Sequence, residues 1–208
     1  MKGLLLKDFY MMLKYCRIYL IMVTIFIAVS FVNSESLLFV FYPCMFCGMI
    51  PVSLLSYDER SKWLQYSATM PYTKAQIVSG KYLIGLCVQT AVVIVTAIAQ
   101  AVRMSLDGVF AWEEYLVLVL MLTAMALLTS SISLPFMFKL GVEKGIMAYY
   151  VMIGVVCGGS VVASKLFEES VAQEISLNAV LPVLCLLSAG IYALSWYLSI
   201  VFFKKREL

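Results

Sequence analysis

The chain has 208 residues and a formal net charge of +3, with 63% hydrophobic and only 13% charged residues. A soluble domain is usually about 45–50% apolar and about 25% charged, so lipid rather than water must surround most of this chain. Apolar runs consume nearly the whole length, which leaves no room for a soluble catalytic domain. Basic residues form no run among aromatic ones, so binding to nucleic acid has no support.

Six apolar runs are long enough to cross a bilayer, for which about 20 residues are needed. The sequence therefore predicts an all-α membrane protein with one transmembrane domain over residues 1–208. The predicted spans are residues 15–32, 37–56, 82–102, 115–138, 145–164 and 177–203. Several spans contain proline, which membrane helices tolerate when neighbouring groups satisfy the freed carbonyl.

The basic residues predict the orientation of these spans. Arg103 and Lys165 fall on one side, while the other 13 of the 15 basic residues fall in the two tails and in the loops after the second and fourth spans. Cytoplasmic loops carry the excess of Lys and Arg in membrane proteins. Both termini are therefore predicted to be cytoplasmic.

The N-terminal segment, residues 1–14, has the pattern of an amphipathic helix. Apolar residues recur there at helical spacing: Leu4, Leu5, Phe9, Met12 and Leu13. Lys2, Lys7 and Lys14 flank them, which favours an interface helix on the inner leaflet with the lipid bilayer as its partner. The alternative is a basic tail that only fixes the topology.

The longest segment between spans is residues 57–81. Asp58 and Glu59 suit the first turn of a short helix, Met70-Pro71 ends it, and Thr73 can cap the helix that leads into the third span. The short helix has an apolar or aromatic side: Trp63, Leu64 and Tyr66. So long a connection predicts a docking surface, and the alternative is a helix that only lies at the membrane surface.

A polar stripe runs along the third span. Gln89, Thr96, Gln100 and Arg103 are spaced seven, four and three residues apart, which places them on one helical face. Polar groups facing lipid are costly, so this stripe is predicted to line a substrate path or the dimer seam around it. Hydrogen bonding between helices inside the bundle is the alternative.

The chain lacks the groups for common catalytic chemistry. A phosphate-binding Walker A loop needs Gly-x-x-x-x-Gly-Lys-Ser/Thr, but Tyr82 follows Gly80-Lys81 and Ala75 occupies the first glycine position. The Gly-Lys pair is instead interpreted as a helix start at the membrane surface. With no histidine in the chain, no catalytic residue and no metal site are predicted.

The segment from 57 to 81 resembles the coupling-helix region of ABC transporter permeases of the second exporter type, the ABC-2-like group. The matching residues are Asp58-Glu59-Arg60, Trp63, Met70-Pro71, Lys74 and Gly80-Lys81-Tyr82, and the start Met1-Lys2-Gly3-Leu4-Leu5-Leu6-Lys7-Asp8 resembles the amphipathic start of that family. Length, span number and topology agree over the whole chain. Among these permeases, the half-size ones of peptide export and bacitracin resistance are most similar.

The resemblance implies a division of labour between subunits. The permease forms a homodimer or heterodimer, and two copies of a separate ABC ATPase hold ATP and Mg, with no cofactor in this chain. Coupling to the ATPase would use Asp58, Glu59, Arg60, Lys62 and Trp63, with a second contact at the loop residues Lys139, Glu143 and Lys144.

The same resemblance implies export of an amphipathic or hydrophobic substrate, such as a peptide or peptide antibiotic, across a bacterial plasma membrane. A secondary carrier is one alternative, although no acidic residue lies within the six predicted spans where ion coupling would use one. A membrane scaffold or accessory subunit without its own transport path is the other.

Overall fold

The structure, a computed structural model, describes residues 2–32, 37–67, 69, 72–106, 108, 111–147, 150 and 177–205. Within these ranges the chain is almost entirely helical. Its helices in chain order are α1 (Lys2–Tyr15), α2 (Arg17–Val32), α3 (Leu37–Arg60), α4 (Trp63–Ser67), α5 (Lys74–Leu106), α6 (Trp112–Leu140), α7 (described over 142–147) and α8 (Leu177–Lys205).

Four of the described helices are long and apolar enough to cross a membrane: Phe39–Arg60, Lys74–Leu106, Trp112–Leu140 and Pro182–Lys205. They contain the second, third, fourth and sixth predicted spans almost entirely. The first predicted span corresponds to α2, which meets α1 at a bend of 68° and qualifies only together with it. The fifth predicted span, residues 145–164, lies almost wholly outside the described residues. A multi-pass helical membrane protein is thus confirmed, with four to five spans in the described part.

The connection between the second and third spans is shorter than predicted. Asp58 and Glu59 lie in the last turn of α3, so the prediction that they begin a short helix is wrong. Residues 61–73, including α4, remain between α3 and α5. Acidic groups at a helix C-terminus oppose the helix dipole, and here basic side chains from other helices compensate at Asp58.

Helix α5 begins at Lys74, directly after a capping box, as the predicted cap at Thr73 requires. The Gln76 backbone N–H donates to Thr73 Oγ1 at 3.3 Å, and the Thr73 backbone N–H donates to Gln76 Oε1 at 3.1 Å. Thr73 is therefore confirmed as a cap, and a helix start at Gly80-Lys81 is wrong. Met70-Pro71, the predicted end of the short helix, lies outside the described residues.

Helices α3, α5 and α6 form the centre of the bundle, with α8 packed along α5 and α6 and α2 packed on α3.

A proline in α6 leaves a carbonyl free for a hydrogen bond with α8. Pro135 lies inside α6 and cannot donate to the Ser131 carbonyl. Ser195 of α8 donates its hydroxyl to that carbonyl at 2.6 Å instead, which joins the two helices at the break.

The core at the end of the bundle that is predicted to be cytoplasmic brings six helices together: α1, α3, α5, α6, α7 and α8. It contains Leu4 of α1, Val78 and Tyr82 of α5, Phe138 of α6 and Phe203 of α8, with side chains of α3 between them. The N-terminal helix α1 is therefore part of this core along one face. That face positions the charged groups described next.

Candidate functional site

Four charged side chains meet at the end of the bundle that is predicted to be cytoplasmic, and we call them the charge cluster: Lys7, Asp8, Asp58 and Lys81. Lys7 Nζ donates to Asp58 Oδ1 at 2.7 Å, and Lys81 Nζ donates to Asp8 Oδ1 at 2.8 Å. Lys81 Nζ also forms an ion pair with Asp58 Oδ2 at 2.5 Å, although the angles are not those of a hydrogen bond. Lys7 Nζ forms a further ion pair with Asp8 Oδ1 at 3.3 Å. Each of the two lysines therefore contacts both carboxylates.

The charge cluster is charge-balanced and nearly dry. Asp8, Asp58 and Lys81 are at most 1% exposed, whereas the Lys7 side chain is 24% exposed. Buried charges persist only when they are paired and hydrogen-bonded, because each costs several kcal/mol to desolvate. The balance of two positive and two negative groups therefore fixes α1, α3 and α5 to one another.

Helical spacing explains how α1 presents its acid to the interior. Leu4, Asp8 and Met12 are four residues apart, all three are buried, and they lie on one face. The opposite face carries exposed Leu6, Tyr10 and Leu13. This helix therefore has apolar residues on both faces, and Asp8 is the polar contact that orients it on the protein.

Trp63 at the start of α4 covers the outer side of the charge cluster. Lys7 Nζ lies 4.2 Å from the centre of the Trp63 ring, a favourable cation–π geometry. Lys62 just before it is exposed and has a positive φ of 55°, which turns the chain between α3 and α4. The amine of Lys7 therefore touches both a side chain of α3 and a side chain of α4.

A pocket of about 410 Å³ adjoins the same end of α3. We call it the cytoplasmic pocket, after the side on which the basic residues predict it to lie. It is bounded by the end of α3 and by the loop between α6 and α7: Ser56, Glu59, Arg60, Leu140, Gly141, Val142, Glu143, Lys144 and Ile146. The Val142 backbone N–H donates to Glu59 Oε2 at 2.9 Å and joins the two segments. Gly141 ends α6 with a φ of 81°, a conformation that glycine adopts without strain.

The structure brings four of the predicted coupling residues together around this cytoplasmic pocket: Glu59, Arg60, Glu143 and Lys144. Asp58 is instead buried in the charge cluster. Lys139 lies outside the pocket wall, with its amine 5.2 Å from the centre of the Phe202 ring.

The sequence did not predict that Lys7, Asp8 and Lys81 would belong to the charge cluster. The periodic position of Asp8 between Leu4 and Met12 was a usable signal for a buried acid.

The predicted polar stripe of α5 lies inside the bundle. Gln89 donates to the Ala126 carbonyl of α6 at 2.6 Å, and Gln100 donates to the Ser30 hydroxyl of α2 at 3.1 Å. Thr96 is buried and donates to a carbonyl of its own helix, and Arg103 donates to the Ser30 carbonyl at 3.2 Å.

Interhelical hydrogen bonding thus accounts for three of these four side chains. Gln89 also borders an apolar cavity of about 340 Å³ between α5 and α6.

A bundle of long apolar helices, closed at one end by charged side chains and loops, defines a multi-pass α-helical membrane protein. In the part of the chain that the structure describes, His, Cys, Asp and Glu side chains form no group of three that could hold a metal ion. Residues 3–204 match the family described as ABC-2 family transporter protein, so the chain belongs to that family and is the membrane permease component of an ABC transporter.

Membership implies that the permease works with an ABC ATPase and another permease copy. No curated protein and no solved structure matches the chain.

Proposed function

We propose that this permease exports an amphipathic or hydrophobic substrate, such as a peptide, and receives its ATPase at the cytoplasmic pocket. The hydrogen bond between Val142 and Glu59 carries this proposal. It joins the segment after the second span and the loop after the fourth into one surface, on the side that the basic loops mark as cytoplasmic. A single partner subunit can then contact both segments.

The lining of the cytoplasmic pocket suits a protein partner. Arg60, Glu143 and Lys144 are exposed and supply both signs of charge around the rim. Leu140 and Ile146 supply an apolar wall. Interfaces commonly combine an apolar anchor in a pocket with a charged rim that selects the partner. We therefore expect the ATPase to insert an apolar or aromatic side chain here and to complement the rim charges.

The cavity beside Gln89 supports the substrate class. Its wall is almost wholly apolar, with Thr90 and Thr123 as further hydrogen-bonding side chains. Such a surface accommodates hydrocarbon and a few polar groups better than it accommodates ions. In this proposal the cavity belongs to the path of an amphipathic substrate, whereas Gln100 and Arg103 hold α5 to α2.

Co-purification from native membranes in mild detergent tests the ATPase contact. The tagged chain should retain a stoichiometric ATPase, and the variant Arg60→Glu/Lys144→Glu should retain about tenfold less, equivalent to about 1.4 kcal/mol. Lys14→Glu/Lys205→Glu is the matched control, because it reverses two exposed lysines that lie outside the pocket wall and are not predicted to contact the ATPase. Full ATPase recovery with the folded double variant, or no ATPase with the unaltered chain, would refute the proposal.

The substrate class needs a separate measurement. Reconstituted complexes should lose export of a fluorescent amphipathic peptide when Thr123→Trp fills the cavity beside Gln89. Ser105→Trp, an exposed change at the far end of α5, should leave export intact. Equal export by both variants would remove the cavity from the path.

A further inference from the structure

We infer that Lys7 is a positioning residue that transmits the movement of α4 to the N-terminal helix α1. This inference rests on the proposed ATPase contact and adds a second route by which that contact acts. The first route runs through α3 into the membrane. The second runs from Glu59 and Arg60 in the pocket wall into α4, which begins three residues after Arg60. It passes through Trp63 and ends on a helix that exposes apolar side chains along its outer face.

Lys7 is the point at which three helices meet. Its amine lies 2.7 Å from Asp58 Oδ1 at the end of α3 and 4.2 Å from the centre of the Trp63 ring on α4, while its backbone belongs to α1. The three other members of the charge cluster are buried among themselves. Lys7 is the cluster member with a substantial exposed fraction, so it can change partners without leaving a dry ammonium group behind.

The rest of the charge cluster supplies a pivot for this movement. Asp8 and Lys81 form a fully buried pair that joins α1 to α5. Because Lys7 is adjacent to Asp8, a force on its amine acts beside that pair and turns α1 about it. When the ATPase bound at Glu59 and Arg60 moves the end of α3 and with it the adjoining α4, Trp63 leaves Lys7 and α1 loses one of its attachments to the protein.

The attachment of α1 is measurable by amide hydrogen exchange. A helix of 14 residues is marginal in isolation, since isolated helices shorter than about 12–15 residues hardly form in water. Its amides are therefore protected through its contacts with the rest of the protein. A loosened contact raises the rate of local opening and hence of exchange.

The experiment compares exchange in the purified permease–ATPase complex without nucleotide and after trapping with ATP and vanadate. In the unaltered complex, trapping should change exchange in the peptide over residues 63–67 and accelerate it in the peptide over residues 2–15. Lys7→Met should keep the response of 63–67 and lose the nucleotide response of 2–15. Lys7→Arg, which keeps the charge, should restore it.

Three further variants make the result specific. Lys14→Met removes another lysine of α1, one that lies outside the charge cluster and 5.4 Å from the Tyr15 ring centre, and should behave as the unaltered chain does. Trp63→Leu removes the ring that contacts Lys7 and leaves the four charges of the cluster in place. It therefore tests the same contact if Lys7→Met does not fold. It should abolish the response of 2–15, and Trp63→Phe should retain it.

The outcomes separate this inference from the proposed function. If the unaltered chain binds no ATPase, the proposed function fails and the inference fails with it. If the ATPase binds and residues 63–67 respond to nucleotide, the inference alone is overturned by either of two results. One is an α1 that does not exchange faster in the unaltered complex, and the other is a full α1 response in Lys7→Met or Trp63→Leu.

Discussion

Replacing Lys81 by methionine should destabilise the protein strongly, because it removes the ammonium group that contacts both buried carboxylates. Lys81 Nζ lies 2.8 Å from Asp8 Oδ1 and 2.5 Å from Asp58 Oδ2. Methionine has a similar length and no charge, so Lys7 alone would face two buried carboxylates. Breaking a buried ion pair by removing one partner costs about 3–5 kcal/mol, and we expect a loss of that size for Lys81→Met.

A second substitution distinguishes this cause from a simple packing defect. Asp8→Asn in the Lys81→Met background removes the uncompensated carboxylate and leaves the pair of Lys7 and Asp58 at 2.7 Å. The double variant then lacks charged hydrogen bonds, a loss of about 1.5–3 kcal/mol, but it contains no unpaired charge. It should therefore be more stable than Lys81→Met, although it carries one more substitution.

The assay is unfolding in mixed micelles with increasing SDS, followed by tryptophan fluorescence, and the midpoints of the variants are compared. Lys14→Met provides the control, since Lys14 is an exposed lysine of α1, the helix that contains Asp8. Its midpoint should equal that of the unaltered chain. The reasoning is refuted if Lys81→Met unfolds with the unaltered chain, or if the double variant is less stable than the single one.

Two further predictions concern packing inside the membrane, both measured as the thermal midpoint in detergent. A Cβ added at Gly48 would lie 2.5 Å from Thr129 Cγ2, so Gly48→Ala should cost about 1–3 kcal/mol of stability through overpacking. Gly190→Ala is the control and should leave the midpoint unchanged, because a Cβ at Gly190 would meet no atom within 4 Å. Gln89→Glu should lower the midpoint more than Gln89→Leu, because a carboxylate would face the Ala126 carbonyl that now accepts at 2.6 Å. An equal midpoint for the members of either pair would contradict the corresponding contact.

The membrane helices could be predicted from the sequence because apolar composition alone determines where a chain can cross lipid. Their ends could not. The charges at Asp58, Glu59 and Arg60 were predicted to lie outside the second span, but α3 continues through them. What permits this is a lysine 51 residues away in the chain, which pairs with Asp58. Local sequence contains no record of such a partner.

For the candidate site, the sequence indicated which segments take part but not how they contact each other. The resemblance to a known family indicated both segments, the end of α3 and the loop after α6. The structure joins them through the backbone N–H of Val142, which no side-chain pattern predicts. The polar stripe of α5 correctly indicated a face turned away from lipid. Which helix answers each side chain, α6 for Gln89 and α2 for Gln100, depends on packing that one sequence does not specify.

Asp58 and Glu59 are adjacent in α3 and serve two different neighbours, the charge cluster and Val142. Successive residues of an α-helix project about 100° apart, so each acid reaches its neighbour at only one rotational setting of the helix end. Deleting one residue between Pro51 and Asp58 would turn both acids by that angle and lose both contacts together. The length of this stretch is therefore constrained by the two contacts at its end, independently of the packing of its buried side chains Val52, Leu54 and Leu55.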